Sequence, residues 1–157
     1  MSESPMAGAL YLEDFFVGQR FVSATHALDE AQIKSFAAQF DPQLFHLDAE
    51  AARHTFFGGL AASGWHTTAI TMSLLVRSGM PIAGGLIGAG CELSWPQPTR
   101  PTDILQVTSE VLAVAPSRSR PERGMVTLKS ETRNQHGEAL QILTSRMLAW
   151  RRPQGAA

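Results

Sequence analysis

SGWHTTAITMSLLVRS, residues 63–78, is the stretch of this sequence that decides the fold. Ser63 and Gly64 open it, and the helix that follows would carry apolar residues on nearly every face until Gly79. A helix that is apolar all round lies in the interior of a protein. The stretch therefore predicts a buried central helix, with the rest of the chain packed around it.

The chain after Gly85 changes from helical to strand periodicity. Apolar residues alternate with small or polar ones up to Trp95, and three long β-rich runs follow at 104–114, 125–133 and 138–150. No crossover helix separates these runs, so a parallel sheet is excluded. The predicted fold class is α+β, with an antiparallel β-sheet wrapped around the central buried helix. One domain is predicted over residues 1–157, with loose ends at about 1–9 and 152–157.

Residues 28–40, LDEAQIKSFAAQF, predict a second helix that ends beside an acid. Asp29 can cap the amide of Gln32, whose side chain can reach back in a capping box. Pro42 disfavours helical geometry in the residue before it, so this helix should end at Asp41. A further short helix is predicted from Asp48, which again supplies a capping side chain.

Composition excludes several classes of function. Among the 157 residues 44% are apolar and 17% are charged, which is the balance of a globular protein. The formal net charge of −1 offers no basic surface for nucleic acid. The most apolar window, 79–90, is too short to span a membrane and contains Pro81.

The chain contains one cysteine, Cys91, so an internal disulfide is excluded. Together with the lack of a visible secretory signal, this predicts a cytoplasmic protein. Because Cys91 alternates with apolar residues, it is predicted to be a buried small hydrophobe.

An acid and an imidazole, Asp41 and His46, lie five positions apart in the loop after the second predicted helix. Five extended residues span roughly 16 Å, so the two side chains can meet only if the chain curls back. Pro42 favours such a turn, and the pair is what general acid–base chemistry requires. On spacing alone an alternative stays open, in which Asp41 only ends the helix and His46 is an ordinary loop residue.

A metal site is disfavoured, because no pair of histidines has the HxxxH or HExxH spacing that places two ligands on one helical face. The residues considered for it are His46, His54, His66, Asp41 and Asp48.

Two features favour the binding of anions. Ser63 and Gly64 begin the buried helix, where free amides and the positive end of the helix dipole can hold a developing oxyanion. Ser63 would serve equally well as an ordinary N-cap. Arg118, Arg120 and Arg123 cluster between two strands, and either a solvated hairpin loop or a phosphate-binding loop fits them.

Five segments of the chain resemble the MaoC-like dehydratases, relatives of the (R)-specific enoyl-CoA hydratases with the hot-dog fold. They are FAAQFDPQLFHLDAEAA, GGLAASGWHTTAI, ELSWPQPTRPTD, SRSRPERGMV and ETRNQHGEAL, and they cover most of residues 30–142 in the family's order. The hydratases read Asp-x-Asn-Pro-x-His where this chain reads DPQLFH. The acid Asp41 and the imidazole His46 are kept, and Gln43 stands in the place of the Asn.

The resemblance implies reversible hydration of a trans-2-enoyl-CoA to an (R)-3-hydroxyacyl-CoA, without a metal or an organic cofactor. It implies that Asp41 and His46 activate water and that the Gly64 amide polarises the thioester carbonyl. The residues predicted to bind the acyl-CoA substrate are Ser63, Trp65, Phe45, Arg118 and Arg120.

The family usually pairs two sheets into one continuous surface, so a homodimer or a higher homo-oligomer is predicted. Two alternative functions stay open. A hot-dog thioesterase would use Asp41 or Asp48 to direct water at the thioester carbonyl, and a non-catalytic acyl-CoA-binding subunit would keep the pocket without turnover.

Overall fold

Five strands form one sheet in the computed structural model, which describes residues 8–155. They are β1 Arg20–Ala27, β2 Ile87–Ser94, β3 Ile104–Pro116, β4 Arg123–Arg133 and β5 Ala139–Trp150. Their order across the sheet is β1-β3-β4-β5-β2, and every neighbouring pair is antiparallel. The predicted antiparallel sheet is confirmed, and β1 and β2 are its edge strands.

Four α-helices lie in the described part of the chain, all of them before β2. They are α1 Glu30–Phe40, α2 Leu44–Leu47, α3 Ala49–Ala52 and α4 Gly64–Leu74. A 3₁₀ turn, Leu12–Asp14, precedes β1, and a π-helical turn, Leu75–Gly79, follows α4 directly. Within residues 8–155 no helix is long and apolar enough to cross a membrane.

Local sequence sets both ends of α1. The Asp29 carboxylate accepts a hydrogen bond from the Gln32 amide at 2.8 Å, which is the predicted cap. The reciprocal half of the predicted capping box is wrong, because the Gln32 side chain bonds the Ala27 carbonyl and the His26 ring instead. At the other end Asp41 has φ −152° and ψ 69°, outside the helical region, as expected of a residue before proline.

The predicted central helix, α4, packs one face against the sheet. The buried residues of the helix are His66, Thr67, Ile70, Thr71 and Leu74, of which His66 packs against α1. The burial of α4 is confined to these residues, and Trp65 and Met72 on the outer side are 60% and 42% exposed in the single chain. One five-stranded sheet therefore leaves an apolar helix face open.

Strand β2 is exposed along its length, and seven of its eight residues, Cys91 among them, are accessible to solvent. The prediction that Cys91 is buried is wrong for the single chain. Alternation shows that a strand has two different faces, but it does not show whether a second layer covers either of them.

Arg152, near the C-terminal end, contacts two residues close to the start of the described chain. Arg152 forms an ion pair with Asp14 at 2.7 Å, and its guanidinium lies 4.7 Å from the centre of the Tyr11 ring. Arg152, the first residue of the predicted loose end, is therefore in contact with the turn that precedes β1. Residues 1–7 and 156–157 of the predicted loose ends lie outside the described residues.

His66 joins α4 to α1. Its ring stacks on Phe36 with centroids 4.5 Å apart and planes 4° apart. The side chain is buried, and its Nδ1 has no hydrogen-bond partner within residues 8–155. Burial, together with the nearby charge of His26, lowers the pKa of His66 from 6.5 to about 4. The packing therefore requires a neutral imidazole.

We expect the fold to lose stability as the pH falls from 6.5 to about 4. In this window the unfolded chain binds a proton at residue 66 that the folded chain excludes, so the free energy of unfolding decreases. The shift corresponds to at most about 3 kcal/mol. His66→Leu should flatten this dependence in thermal melts recorded across the window. His54→Gln, at an exposed histidine, is the control. Parallel profiles for wild type and His66→Leu would contradict the expectation.

Candidate active site

An open cavity of about 650 Å³ lies where the loops after α1 and α3 meet the start of α4 and the loop before β3. Its walls combine a few polar groups with many aromatic and proline side chains. They are Asp41, Gln43, Phe45, His46, Phe56, Phe57, Ala62, Gly64, Trp65, Thr67, Trp95, Pro96, Gln97, Pro98, Thr99 and Arg100. An apolar cleft with a few convergent polar groups is the usual form of a small-molecule site.

The structure brings Asp41 and His46 together at this cavity. Asp41 Oδ2 lies 3.2 Å from His46 Nε2, and both residues line the wall. The loop curls back because the Gln43 amide donates to the Asp41 carbonyl at 2.7 Å. The short helix α2, which the sequence did not predict, then carries His46 towards the acid.

The His46 ring is buried and is held from behind. Its Nδ1 donates to the Ala61 carbonyl at 2.6 Å, and the rings of Phe45 and Phe57 lie 4.6 and 6.1 Å away. Since a carbonyl only accepts, Nδ1 carries a hydrogen. Nε2 is then the ring nitrogen left to exchange a proton with Asp41 and with a molecule in the cavity.

Arg100 fixes the loop that carries the Ala61 carbonyl. Its guanidinium donates to the carbonyls of Phe57, Gly59 and Leu60 at 2.5, 3.0 and 3.2 Å. A planar fork of donors can hold several carbonyls at once. The Ala61 amide also donates to a carbonyl of the His46 segment, that of Phe45, at 3.1 Å. Two hydrogen bonds therefore join the His46 segment to Ala61.

Asp41 presents a carboxylate to the cavity. Burial alone would raise its pKa, but hydrogen bonds from Gln43 and Ser63 and the adjacent His46 imidazole outweigh burial and hold the pKa below the ordinary 3.8. Gln43 Nε2 donates to Asp41 Oδ1 at 2.6 Å. This leaves Oδ2 as the oxygen that faces His46.

Gly64 occupies the first position of α4, on the same cavity wall as the acid and the imidazole. The first amides of a helix have no intrahelical partner, and the helix dipole is positive at this end. Ser63, fully buried, caps the helix by accepting the Trp65 amide at 3.2 Å. The His66 and Thr67 amides donate to the Ser63 carbonyl, so within residues 8–155 the Gly64 amide is the donor left at this end of the helix.

The remaining predicted site residues separate into two groups. Phe45 and Trp65 line the cavity, as Asp41, His46 and Gly64 do. Arg118 and Arg120 do not, because they follow β3 whereas the cavity residue Arg100 precedes it. Thirteen strand residues at roughly 3.3 Å each separate these two ends of β3 by about 40 Å. The two arginines are thus remote from the cavity of their own chain.

One acid and one histidine that the sequence analysis considered as metal ligands, Asp48 and His54, do not line the cavity. Asp48 caps α3 by accepting the amides of Glu50 and Ala51 at 3.0 and 2.9 Å. His54 is exposed to solvent. Within residues 8–155 no group of three or more His, Cys, Asp or Glu side chains is arranged to hold a metal ion.

Sequence reasoning missed Trp95 and Arg100 as members of the site. Both belong to the segment ELSWPQPTRPTD, residues 92–103, which was used only as part of a resemblance. The available signal was a tryptophan at the end of a predicted strand, followed within six residues by three prolines and an arginine.

Comparison with known proteins identifies the family to which this site belongs. The family model described as the MaoC like domain matches residues 16–134. The chain belongs to the MaoC-like domain family. The uncharacterized protein YdeM of Bacillus subtilis (strain 168) is 36% identical over 127 residues, which cover 79% of this chain and 87% of YdeM.

Two solved structures place the fold of this MaoC-like chain. The MaoC-like dehydratase from Rhodospirillum rubrum is 62% identical, with a TM-score of 0.91 over 92% of this chain and 99% of that one. The R-hydratase PhaJ1 from Pseudomonas aeruginosa is 26% identical, with a TM-score of 0.75 over 92% of this chain and 88% of that one. The predicted hot-dog fold of the α+β class is confirmed.

We expect Gln43→Leu to raise the pKa of Asp41, because the substitution removes a hydrogen bond that stabilises the carboxylate. NMR titration of the carboxyl carbons of labelled aspartates measures this pKa directly. Wild-type Asp41 should titrate below 3.8, and the variant should titrate higher. Gln39→Leu, at an exposed glutamine of α1, is the matched control and should leave the titration unchanged. An unchanged pKa in Gln43→Leu would contradict the assignment of the Gln43 bond as a cause.

Proposed function

We propose that this MaoC-like protein catalyses the reversible addition of water to a trans-2-enoyl-CoA, giving the (R)-3-hydroxyacyl-CoA. The observation that carries the proposal is the approach of Asp41 Oδ2 to His46 Nε2, at 3.2 Å, in a cavity that also receives the N-terminal end of α4. Acid–base chemistry on a conjugated thioester requires these groups and no cofactor.

In the proposed reaction, Asp41 accepts one proton and His46 donates one. The Asp41 carboxylate takes a proton from a bound water while the hydroxide adds to the β-carbon. His46 starts the proposed reaction as the cation, with hydrogens on both Nδ1 and Nε2. The electrons of the double bond move onto the thioester oxygen to form an enolate, whose α-carbon then takes the proton from His46 Nε2–H. The proton on Asp41 finally returns to Nε2 across the 3.2 Å between them, so only one water is consumed.

The enolate oxygen needs donors that are in place before the charge develops. The Gly64 amide, at the positive end of α4, is the donor that we assign to it. Phe45, Phe57 and Trp65 supply apolar walls, and a substrate bound against them would displace water and strengthen the electrostatic interactions in the site.

We expect Asp41→Asn and His46→Ala each to lower turnover by about 10²–10⁴-fold while leaving the protein folded. The loss of absorbance at the conjugated-thioester band measures hydration, with enoyl-CoAs of several chain lengths as substrates. Asp48→Asn, which changes an acid outside the cavity, is the matched control and should retain turnover.

The outcomes separate hydration from its alternatives. Wild-type turnover in either site variant would exclude that residue from the mechanism. Release of free thiol without a hydrated product would identify a thioesterase, and binding without either product would identify an acyl-CoA-binding subunit. Thiol assays need an enzyme blank, because Cys91 is exposed.

We also propose that the protein is a homodimer joined through β2. An unpaired edge strand is open to pairing with a second chain, and β2 and the outer face of α4 both expose apolar residues. Antiparallel pairing of two β2 strands would place the partner's β3–β4 loop at the cavity end of this chain's sheet. This arrangement offers Arg118 and Arg120 a role at the coenzyme A phosphates of the partner's site.

We expect light scattering at micromolar concentration to give about 34 kDa, twice the chain mass of 17.0 kDa. Cys91→Lys, which places a charge on the exposed β2, should shift the protein towards the monomer. Thr25→Lys, at an exposed position of the opposite edge strand β1, is the control and should not. A wild-type monomer, or dissociation by Thr25→Lys alone, would contradict pairing through β2.

A further inference from the structure

We infer that Trp95 and Gln141 are positioning residues for the Gly64 amide. They hold the amide where it can donate a hydrogen bond to the thioester oxygen of the substrate. The inference rests on the proposed function, because it assigns a role within the same reaction. It is carried by one closed set of contacts that joins Gly64, Trp95, Gln141 and Thr68.

The first contact is between the Gly64 backbone and the Trp95 indole. A Cβ atom added at Gly64 would lie 2.6 Å from Trp95 Cε2 and 2.8 Å from Cδ2 and Cζ2, closer than such atoms approach. Gly64 is not among the glycines with positive φ, so its backbone conformation does not require glycine. Glycine is present at 64 because the indole lies directly against the main chain.

The second contact holds the indole through its ring nitrogen. Trp95 Nε1 donates to Gln141 Oε1 at 3.0 Å, and the Trp65 ring lies edge-on at 5.4 Å. An indole nitrogen only donates, so the atom that faces it must be the amide oxygen. The Gln141 amide nitrogen therefore faces Thr71, to whose hydroxyl it donates at 3.2 Å.

The third contact returns to α4. The Thr68 hydroxyl lies 2.8 Å from Gln141 Oε1 and 2.9 Å from the Gly64 carbonyl, and its one hydrogen serves these two acceptors. Gln141 lies on β5 and is completely buried. The sheet thus holds both the ring that presses on Gly64 and the first turn of the helix that Gly64 begins.

Such a clamp matters for catalysis because a donor for a developing oxyanion acts only from a fixed position. Misplacement by about 1 Å can cost about 10²-fold in rate. The hydrogen bond to the oxygen strengthens as the enolate forms, so misplacement lowers kcat more than it raises KM. A residue that merely lined the acyl pocket would alter KM in a way that depends on chain length.

Two substitutions test the clamp from its two sides. Trp95→Phe keeps an aromatic ring beside Gly64 but lacks the indole N–H, and Gln141→Met keeps the length of the side chain without its polar atoms. We expect each to lower kcat by about 10- to 100-fold, with KM for enoyl-CoA changed by less than about threefold. The pH dependence of kcat should keep its shape, because Asp41 and His46 are untouched.

A matched control separates positioning from a general loss of stability. Ser130→Ala removes a buried hydrogen bond of 2.7 Å to Ser109, between β3 and β4, and neither serine lines the cavity. It should lower the melting temperature as the test variants do, while kcat stays at the wild-type value. If Gln141→Met does not fold, Trp95→Phe alone decides the result.

A spectroscopic probe reports on the donor directly. The absorbance band of para-dimethylaminocinnamoyl-CoA moves to longer wavelength when a hydrogen bond polarises its carbonyl. We expect this shift on binding to wild type and to Ser130→Ala, and a smaller shift with Trp95→Phe and Gln141→Met at saturating protein. A full shift with unchanged kcat in both test variants, or a KM change graded by acyl length, would overturn the inference.

The same experiments distinguish the failure of this inference from failure of the proposed function. If wild type hydrates enoyl-CoA and shifts the probe but the two variants do the same, only the positioning role is excluded. If wild type neither hydrates nor shifts the probe, the proposed function fails, and the positioning role fails with it.

Discussion

The N-terminal half of α4 is packed against the sheet through polar groups, and the rest of the structure depends on how these groups are satisfied. Thr67 bonds Thr99 at 2.9 Å and Thr71 bonds Thr132 at 2.6 Å, while Gln141 is completely buried beneath them. A buried polar atom left without a partner costs about 1–3 kcal/mol. Apolar side chains would tolerate sliding or rotation of the helix, but these paired hydroxyls do not. The paired hydroxyls therefore favour a single register of the helix against the sheet.

The segment between β2 and β3 connects this helix to the imidazole. Thr99 contacts both sides, since its hydroxyl meets Thr67 and its carbonyl accepts the Ala62 amide at 2.9 Å. The next residue, Arg100, holds three carbonyls of the loop that leads to the His46 anchor, and its own amide donates to Asp103 at 2.8 Å. A short proline-rich loop thus sets the distance between the acid–base pair and the helix terminus.

Local backbone preferences predicted the helices and strands, but they did not predict how these elements pack against one another. The cap at Asp29, the helix end before Pro42 and the strand runs after Gly85 follow from backbone preferences, and the structure has them. The meeting of Asp41 and His46 was a hypothesis from spacing, because the turn of α2 depends on tertiary contacts that four residues cannot specify. The contacts around Gly64 join Trp95, the residue after β2, to β5 and α4 across 46 and 73 positions, so no local pattern could contain them. The exposure of Cys91 was likewise hidden, since periodicity does not show which strand forms the edge.

Two histidines of this chain show why partners, rather than residue type, decide the chemistry. His46 has a carbonyl at Nδ1 and a carboxylate at Nε2, so each nitrogen meets a group with which it can share or exchange a proton. His66 is also buried, but it stacks on Phe36, and burial lowers its pKa to about 4. Within residues 8–155 its Nδ1 has no hydrogen-bond partner, so a proton on that nitrogen would gain no acceptor there and the ring serves packing in its neutral form. The sequence shows both as histidines beside apolar residues, and only the fold supplies the Ala61 carbonyl and the Asp41 carboxylate that make one of them suited to proton transfer.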